Sequence, residues 1–190
     1  MTYSVFFDVL PKKGFADAYF GMASGLKPLV EKNPGFISVE RFENLGRSGW
    51  YLSHSQWVDE HALSSWRCQY DHHGAQVCGR NLVLEDYRLR VGCLTVANQV
   101  LNKKAVIALV GDFSEAQEFV NRAQINMDAL PRLFRGIINP NRGIALLDAQ
   151  IEDADLLNFV IGQKLTNVGI YEVQRDYGMF DRAQAPTVFA

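Results

Sequence analysis

What most constrains this chain is an order of elements that occurs twice. In the first half a β-prone run at 3–10 closes at Pro11-Lys12-Lys13-Gly14, and a helical stretch over 15–32 follows, with Tyr19, Met22, Leu26 and Leu29 at three- and four-residue spacing. Asn33-Pro34-Gly35 stops it. Two strands, 36–43 and 50–57, flank the turn-forming segment 44–49. Asp59 is placed to cap a helix carrying Ala62, Leu63 and Trp66, a further helical piece spans 71–79, and Tyr87, Leu89 and Val91 alternate in a last strand, 85–91. The second half repeats the order more faintly. It has a strand at 105–110, a helix opened by the capping box Ser114-Glu115-Ala116-Gln117, and strands at 133–138 and 143–147 around Asn139-Pro140-Asn141-Arg142. A helix at 153–163 and a strand at 168–174 complete it. The repeat lies in the order of elements, not in residue identity.

Read twice, βαββαβ predicts an α+β fold of tandem ferredoxin-like units: residues 1–97, a linker at 98–104, a degenerate second unit at 105–182 and a tail at 183–190 that is ordered only if it docks. Two helices cover one face of each antiparallel sheet. In the first unit both alternations are apolar or aromatic (Phe6 and Phe7, Trp50 and Tyr51), so the other face needs a second sheet. The second half supplies it in a barrel-like pseudo-dimer within one chain; otherwise another subunit does so in a homodimer.

Composition excludes several classes. The formal net charge is −2 with no Lys/Arg block, which disfavours nucleic acid as a partner, because phosphate neutralisation supplies most of such binding. No apolar run approaches the roughly 20 residues of a bilayer span. The first 14 residues lack a basic n-region, and Asp8 interrupts their apolar stretch, so they read as a strand rather than a signal peptide. Cys68, Cys78 and Cys93 are odd in number and show no CxxC spacing, which fits reduced thiols in a cytoplasmic protein better than disulfides or a metal site.

Chemistry concentrates in residues 66–80. His72 and Gln76 stand four apart, as do Gln76 and Arg80, and His73 and Gln76 stand three apart, so these side chains can share a helix face. Beside Trp66 and Tyr87 such a stripe lines an otherwise apolar cavity, the usual make-up of a small-ligand site. His72 and His73 are the acid/base candidates, since an unperturbed imidazole titrates near pH 6.5. Gln76, Arg67, Arg80 and Tyr87 are the binding candidates, with solvated or ion-paired roles as the plainer reading of the arginines. The second half has no His, Cys or Trp, so one pocket per chain is expected.

Asn33-Pro34-Gly35-Phe36-Ile37-Ser38-Val39-Glu40-Arg41-Phe42-Glu43, then Trp50-Tyr51-Leu52-Ser53, Trp57 and the run W-R-x(4)-H-x(2)-A-Q-x(2)-G-R from Trp66 to Arg80 resemble the antibiotic biosynthesis monooxygenase superfamily over about residues 3–91. Its members are dimeric α+β barrels of ferredoxin-like units. The resemblance implies two chemistries. One branch oxygenates polycyclic aromatic substrates to quinones with molecular oxygen and no metal or flavin; the deprotonated substrate is the reacting species, and a Trp at the position of Trp66 lines the pocket. The other branch binds and degrades haem with a strand-one Asn, a Trp and an axial His ten residues after the Trp. Here Phe7 falls near the Asn position and Gln76 takes the place of the His. The expectation is therefore a cofactor-independent monooxygenase acting on an aromatic or easily oxidised small molecule, with Trp66, His72 and His73 as its catalytic set. Haem degradation, or a non-catalytic binding module of the same fold, is the alternative. A cavity bordered by Trp66, His72 or His73 and Gln76 separates an enzyme from a filled core.

Overall fold

Tyr3–Pro11 forms β1, whose residues alternate between two buried surfaces, and Ala16–Val30 forms α1 above it. A computed structural model describes residues 1–96, 103–126, 130–150 and 167–186. Most of the expected linker, the helix at 153–163 and the last four residues of the tail lie outside these. The hairpin of β2 (Phe36–Asn44) and β3 (Tyr51–Trp57) turns where Asn44 Oδ1 accepts from Gly46 N at 2.9 Å and Arg47 N at 3.0 Å, and Gly49 takes φ +78°. Asp59 caps α2 (Glu60–Cys68) as expected, Oδ1 accepting from Ala62 N at 2.8 Å. The second helical piece, α3 (Tyr70–Cys78), runs into a π-helical turn, Gly79–Val83, and β4 extends over Leu84–Thr95. In the second half β5 (Lys104–Asp112), α4 (Phe113–Asn126), β6 (Arg132–Gly136), β7 (Arg142–Gln150) and β8 (Val168–Gly178) follow. Helix α4 starts one residue before Ser114, so that serine lies in its first turn rather than outside it.

The strand order is β1-β3-β2-β6-β7-β5-β8-β4, closing back on β1, with every pair antiparallel. Strands β4-β1-β3-β2 and β8-β5-β7-β6 thus repeat one order. Two separate sheets facing across a core were the expectation. Instead the edges join, β2 to β6 through Phe42–Gly136 and Asn44–Phe134, and β4 to β8 through Arg88–Gly178 down to Thr95–Ile170. Closure pairs the edge strands that two open sheets would leave with bare N–H and C=O groups.

Period-two alternation then sorts the side chains. Phe6, Phe42 and Leu52 from the first half meet Phe134, Leu146 and Tyr171 from the second inside the barrel, so both halves share one core. One end of that interior is ionic. Buried Arg90 bridges Asp8 at 2.6 Å and Asp148, Arg132 reaches Asp8 at 2.8 Å, and Arg88 joins Asp148 at 2.9 Å and Asp176 at 2.6 Å. Outside, α4 packs Ala116, Phe119 and Val120 against Ile107, Leu109 and Leu147. The outer face of the first half lies under α1, α2 and α3. No helix among the described residues is long and apolar enough to cross a membrane.

Candidate active site

Under those three helices the packing is incomplete. A cavity of about 270 Å³ is left between the outer face of β1, β2, β3 and β4 and helices α1, α2 and α3. Its floor follows from register: Arg41, Ser53, Phe7 and Leu89 pair across β2, β3, β1 and β4, and Val39, Ser55, Val5 and Val91 form the next row on the same face.

The break between α2 and α3 places the polar wall. Gln69 leaves the helix at φ −61°, ψ 134°, and its side chain then caps α3 by accepting from His72 N at 2.7 Å. At the break the Trp66 carbonyl accepts from Gln69 N at 3.1 Å and also lies 2.9 Å from His72 Nδ1. The imidazole stacks on the Trp66 indole, centroids 4.4 Å apart at 15°, and Trp66 in turn stacks on Trp57 at 6.5 Å. Because a carbonyl only accepts, Nδ1 carries the proton and Nε2 holds the lone pair. Burial lowers the His72 pKa to about 4, partly opposed by the Trp66 hydrogen bond. Gln76 stands one turn on, its Nε2 3.3 Å from the same Nδ1 and donating to the Arg67 carbonyl at 3.3 Å.

Trp66, His72, Gln76, Arg67, Arg80 and Tyr87 all line the cavity, so the structure brings six of the seven candidates together. His73 is not among the lining residues, because the helical step of about 100° turns it from the face His72 occupies. The expected imidazole titration near pH 6.5 does not hold for His72, since the cavity wall desolvates it.

Other lining residues gave no signal in the sequence. Tyr19, whose spacing marks only a helix face, is buried, with Arg41 and Ser53 as partners, and burial raises its pKa. Leu89 pairs with Tyr177 and Val91 with Arg175 across β4 and β8, which carries two second-half side chains to the cavity edge. Burial and the neighbouring Tyr87 raise the pKa of Tyr177, so the Tyr177 phenol stays protonated at neutral pH. Arg182 donates to the Tyr87 hydroxyl, and Pro186 completes the wall, so the described part of the tail docks here. The second half is therefore more than a supporting sheet. Only the fact that β8 pairs with β4 reveals this.

No group of three or more His, Cys, Asp or Glu suited to a metal ion occurs among the described residues. Gln76, a weak amide ligand, and Phe7, which offers no hydrogen bond, line the cavity at the places where the haem branch carries its His and Asn, and among the described residues His72 supplies the one imidazole on the cavity wall.

Comparison with known proteins agrees with this architecture. The profile of the antibiotic biosynthesis monooxygenase family matches residues 2–76. A protein of Pyricularia oryzae named jasmonate monooxygenase is 32% identical over 211 residues, covering 98% of each chain. The chain belongs to the antibiotic biosynthesis monooxygenase family. Among solved structures, an aldoxime dehydratase in complex with butyraldoxime superimposes with TM-score 0.52 at 8% identity, over 90% of this chain and 79% of that one, a likeness of fold alone. A Fusobacterium nucleatum protein assigned as a monooxygenase gives TM-score 0.46 at 13% identity, over 92% and 93%.

Proposed function

We propose that the protein is a cofactor-independent monooxygenase that oxidises a small, easily deprotonated substrate in the cavity beneath α1, α2 and α3. The observation that carries this reading is the neutral imidazole of His72, fixed on Trp66 at the wall of an apolar cavity. The substrate supplies every electron. A CH₂ group activated by a neighbouring phenol or carbonyl loses a proton, and the resulting anion reacts with oxygen. The CH₂ becomes C=O, one oxygen atom enters the product and the other leaves as water. His72 Nε2 accepts the departing proton, or a hydrogen bond from the substrate's O–H. With a pKa of about 4 the imidazole is a weak base, so the cationic lining must stabilise the anion as it forms. Trp66 and Phe7 hold the apolar body, and Gln76 orients its polar end.

Size narrows the substrate. A cavity of about 150 Å³ takes one benzene, so 270 Å³ suits one ring with a side chain better than a fused polycycle. The Pyricularia relative makes jasmonate, a single-ring ketone with one chain and one acid arm, the first compound to test. The two halves act in this reading as pseudo-subunits, the second closing the barrel as a partner subunit would and lending Arg175 and Tyr177 to one pocket.

The test is oxygen uptake by metal-stripped protein over a panel of single-ring ketones and phenols. Uptake without added metal, flavin or haem, with one ¹⁸O atom from labelled oxygen in the product, is the expected result. Activity that returned only with one of those groups, or a Soret band in protein as isolated, would overturn the cofactor-independent reading.

A further inference from the structure

Charge around the cavity is one-sided. Lys27, Arg41, Arg67, Arg80, Arg175 and Arg182 line it, and among the described residues no Asp or Glu does. Lys27 pairs with Glu31 and Arg175 with Glu60, and Arg182 donates to the Tyr87 hydroxyl. Arg41 is different. It rises from β2 beneath α1, where Nη2 donates to the Ala23 carbonyl at 3.4 Å and the Tyr19 hydroxyl is a neighbour. Its Nε is buried with no hydrogen-bond partner, and the described lining around it holds no carboxylate. A guanidinium cannot shed its proton, so at this cavity wall its charge lacks a carboxylate to balance it, and a bound anion would supply one. Its planar fork matches the two oxygens of a carboxylate.

We propose that Arg41 is the anchor for a carboxylate on the substrate, so that the cavity takes a small apolar acid rather than a neutral ring compound. The acid group meets Arg41 and the apolar body lies on the Phe7 and Trp66 surfaces. Arg80, which also has no carboxylate partner among the described residues, adds to the positive potential that draws the anion in. This proposal rests on the reading of the cavity as a small-molecule site.

Tryptophan fluorescence titration with jasmonic acid and with its methyl ester, at pH 7, tests it on wild type, Arg41→Gln and Arg41→Lys. The wild type should bind the acid at least about tenfold more tightly than the ester. Arg41→Gln should weaken acid binding by about 10–100-fold and ester binding by less than about threefold, the retained ester binding also showing that the cavity has folded. Arg41→Lys, which keeps the charge and loses the fork, should fall between. If the wild type bound acid and ester alike, or Arg41→Gln weakened both equally, the carboxylate assignment would be overturned while the cavity remained a ligand site. If neither compound nor any other ring acid or phenol bound the wild type, the small-molecule reading itself would fall, and this proposal with it.

Discussion

His72 and His54 share one lowered pKa, about 4, from one cause, burial, yet they do different things. His54 lies inside the barrel, stacked on Phe6 at 5.0 Å with its Nε2 3.4 Å from Ser4 Oγ. An imidazole held neutral in the fold but free to ionise at about 6.5 when unfolded makes stability depend on pH. The contribution is complete above about pH 6.5 and is lost as pH falls through the folded value near 4. The shift corresponds to about 3 kcal/mol. His54→Gln should therefore flatten the acid limb of urea-unfolding stability between pH 6.5 and 4; an unchanged limb would show that His54 is not the group responsible. For His72 the readout is turnover. His72→Ala should lower kcat by about 10²-fold, the modest end for a general base so far from its optimum, and His73→Ala should leave it within about twofold. Wild-type kcat/KM should stay flat from pH 8 to 6 and fall only towards pH 4. Both imidazoles were visible in the sequence as neighbours on one helix. Which of them faces the cavity, and how far its pKa moves, depends on the break at Gln69 and on the Trp66 carbonyl beside it, and neither has a local signature.

At the scale of elements, the hairpin, its Asn44 turn and the Asp59 cap were all legible, because side-chain chemistry at one or two positions decides them. The π-helical turn Gly79–Val83 has no signal in the sequence, and neither has the extra length of β4, which follows from pairing with β8 far along the chain. The same holds for Arg175 and Tyr177. Where α2 meets the start of β2 the fit is close enough to test. A Cβ on Gly35 would overlap the Ala62 methyl and stand 2.9 Å from Val58 Cγ2. Gly35→Ala should cost about 1–3 kcal/mol in equilibrium unfolding. Because α2 carries Trp66, ligand binding should weaken as well. A variant as stable as wild type would mean that α2 does not seat on Gly35 as described.

For the whole molecule, closure of eight strands from one chain turns two marginal half-sheets into one shared core. The ionic cluster at one end of the barrel bonds β1, β4, β6, β7 and β8 together, with Arg90 and Asp8 buried within it. Asp8→Ala leaves buried Arg90 with Asp148 alone and one guanidinium nitrogen without its acceptor, and should destabilise by about 1–3 kcal/mol. A loss under 1 kcal/mol would show that the cluster adds little to closure. The repeated element order made a barrel legible, but nothing in it told edge-to-edge closure from two stacked sheets. The central claim is that the space between the first-half sheet and its helices is where the reaction occurs. Ala75→Trp, on α3 at the cavity wall, tests it most directly, because an indole there fills the cavity and leaves the barrel interior untouched. Substrate-dependent oxygen uptake by metal-stripped protein should drop to background in Ala75→Trp at near wild-type stability. Full uptake in that variant, stably folded, would contradict the account and place the chemistry elsewhere.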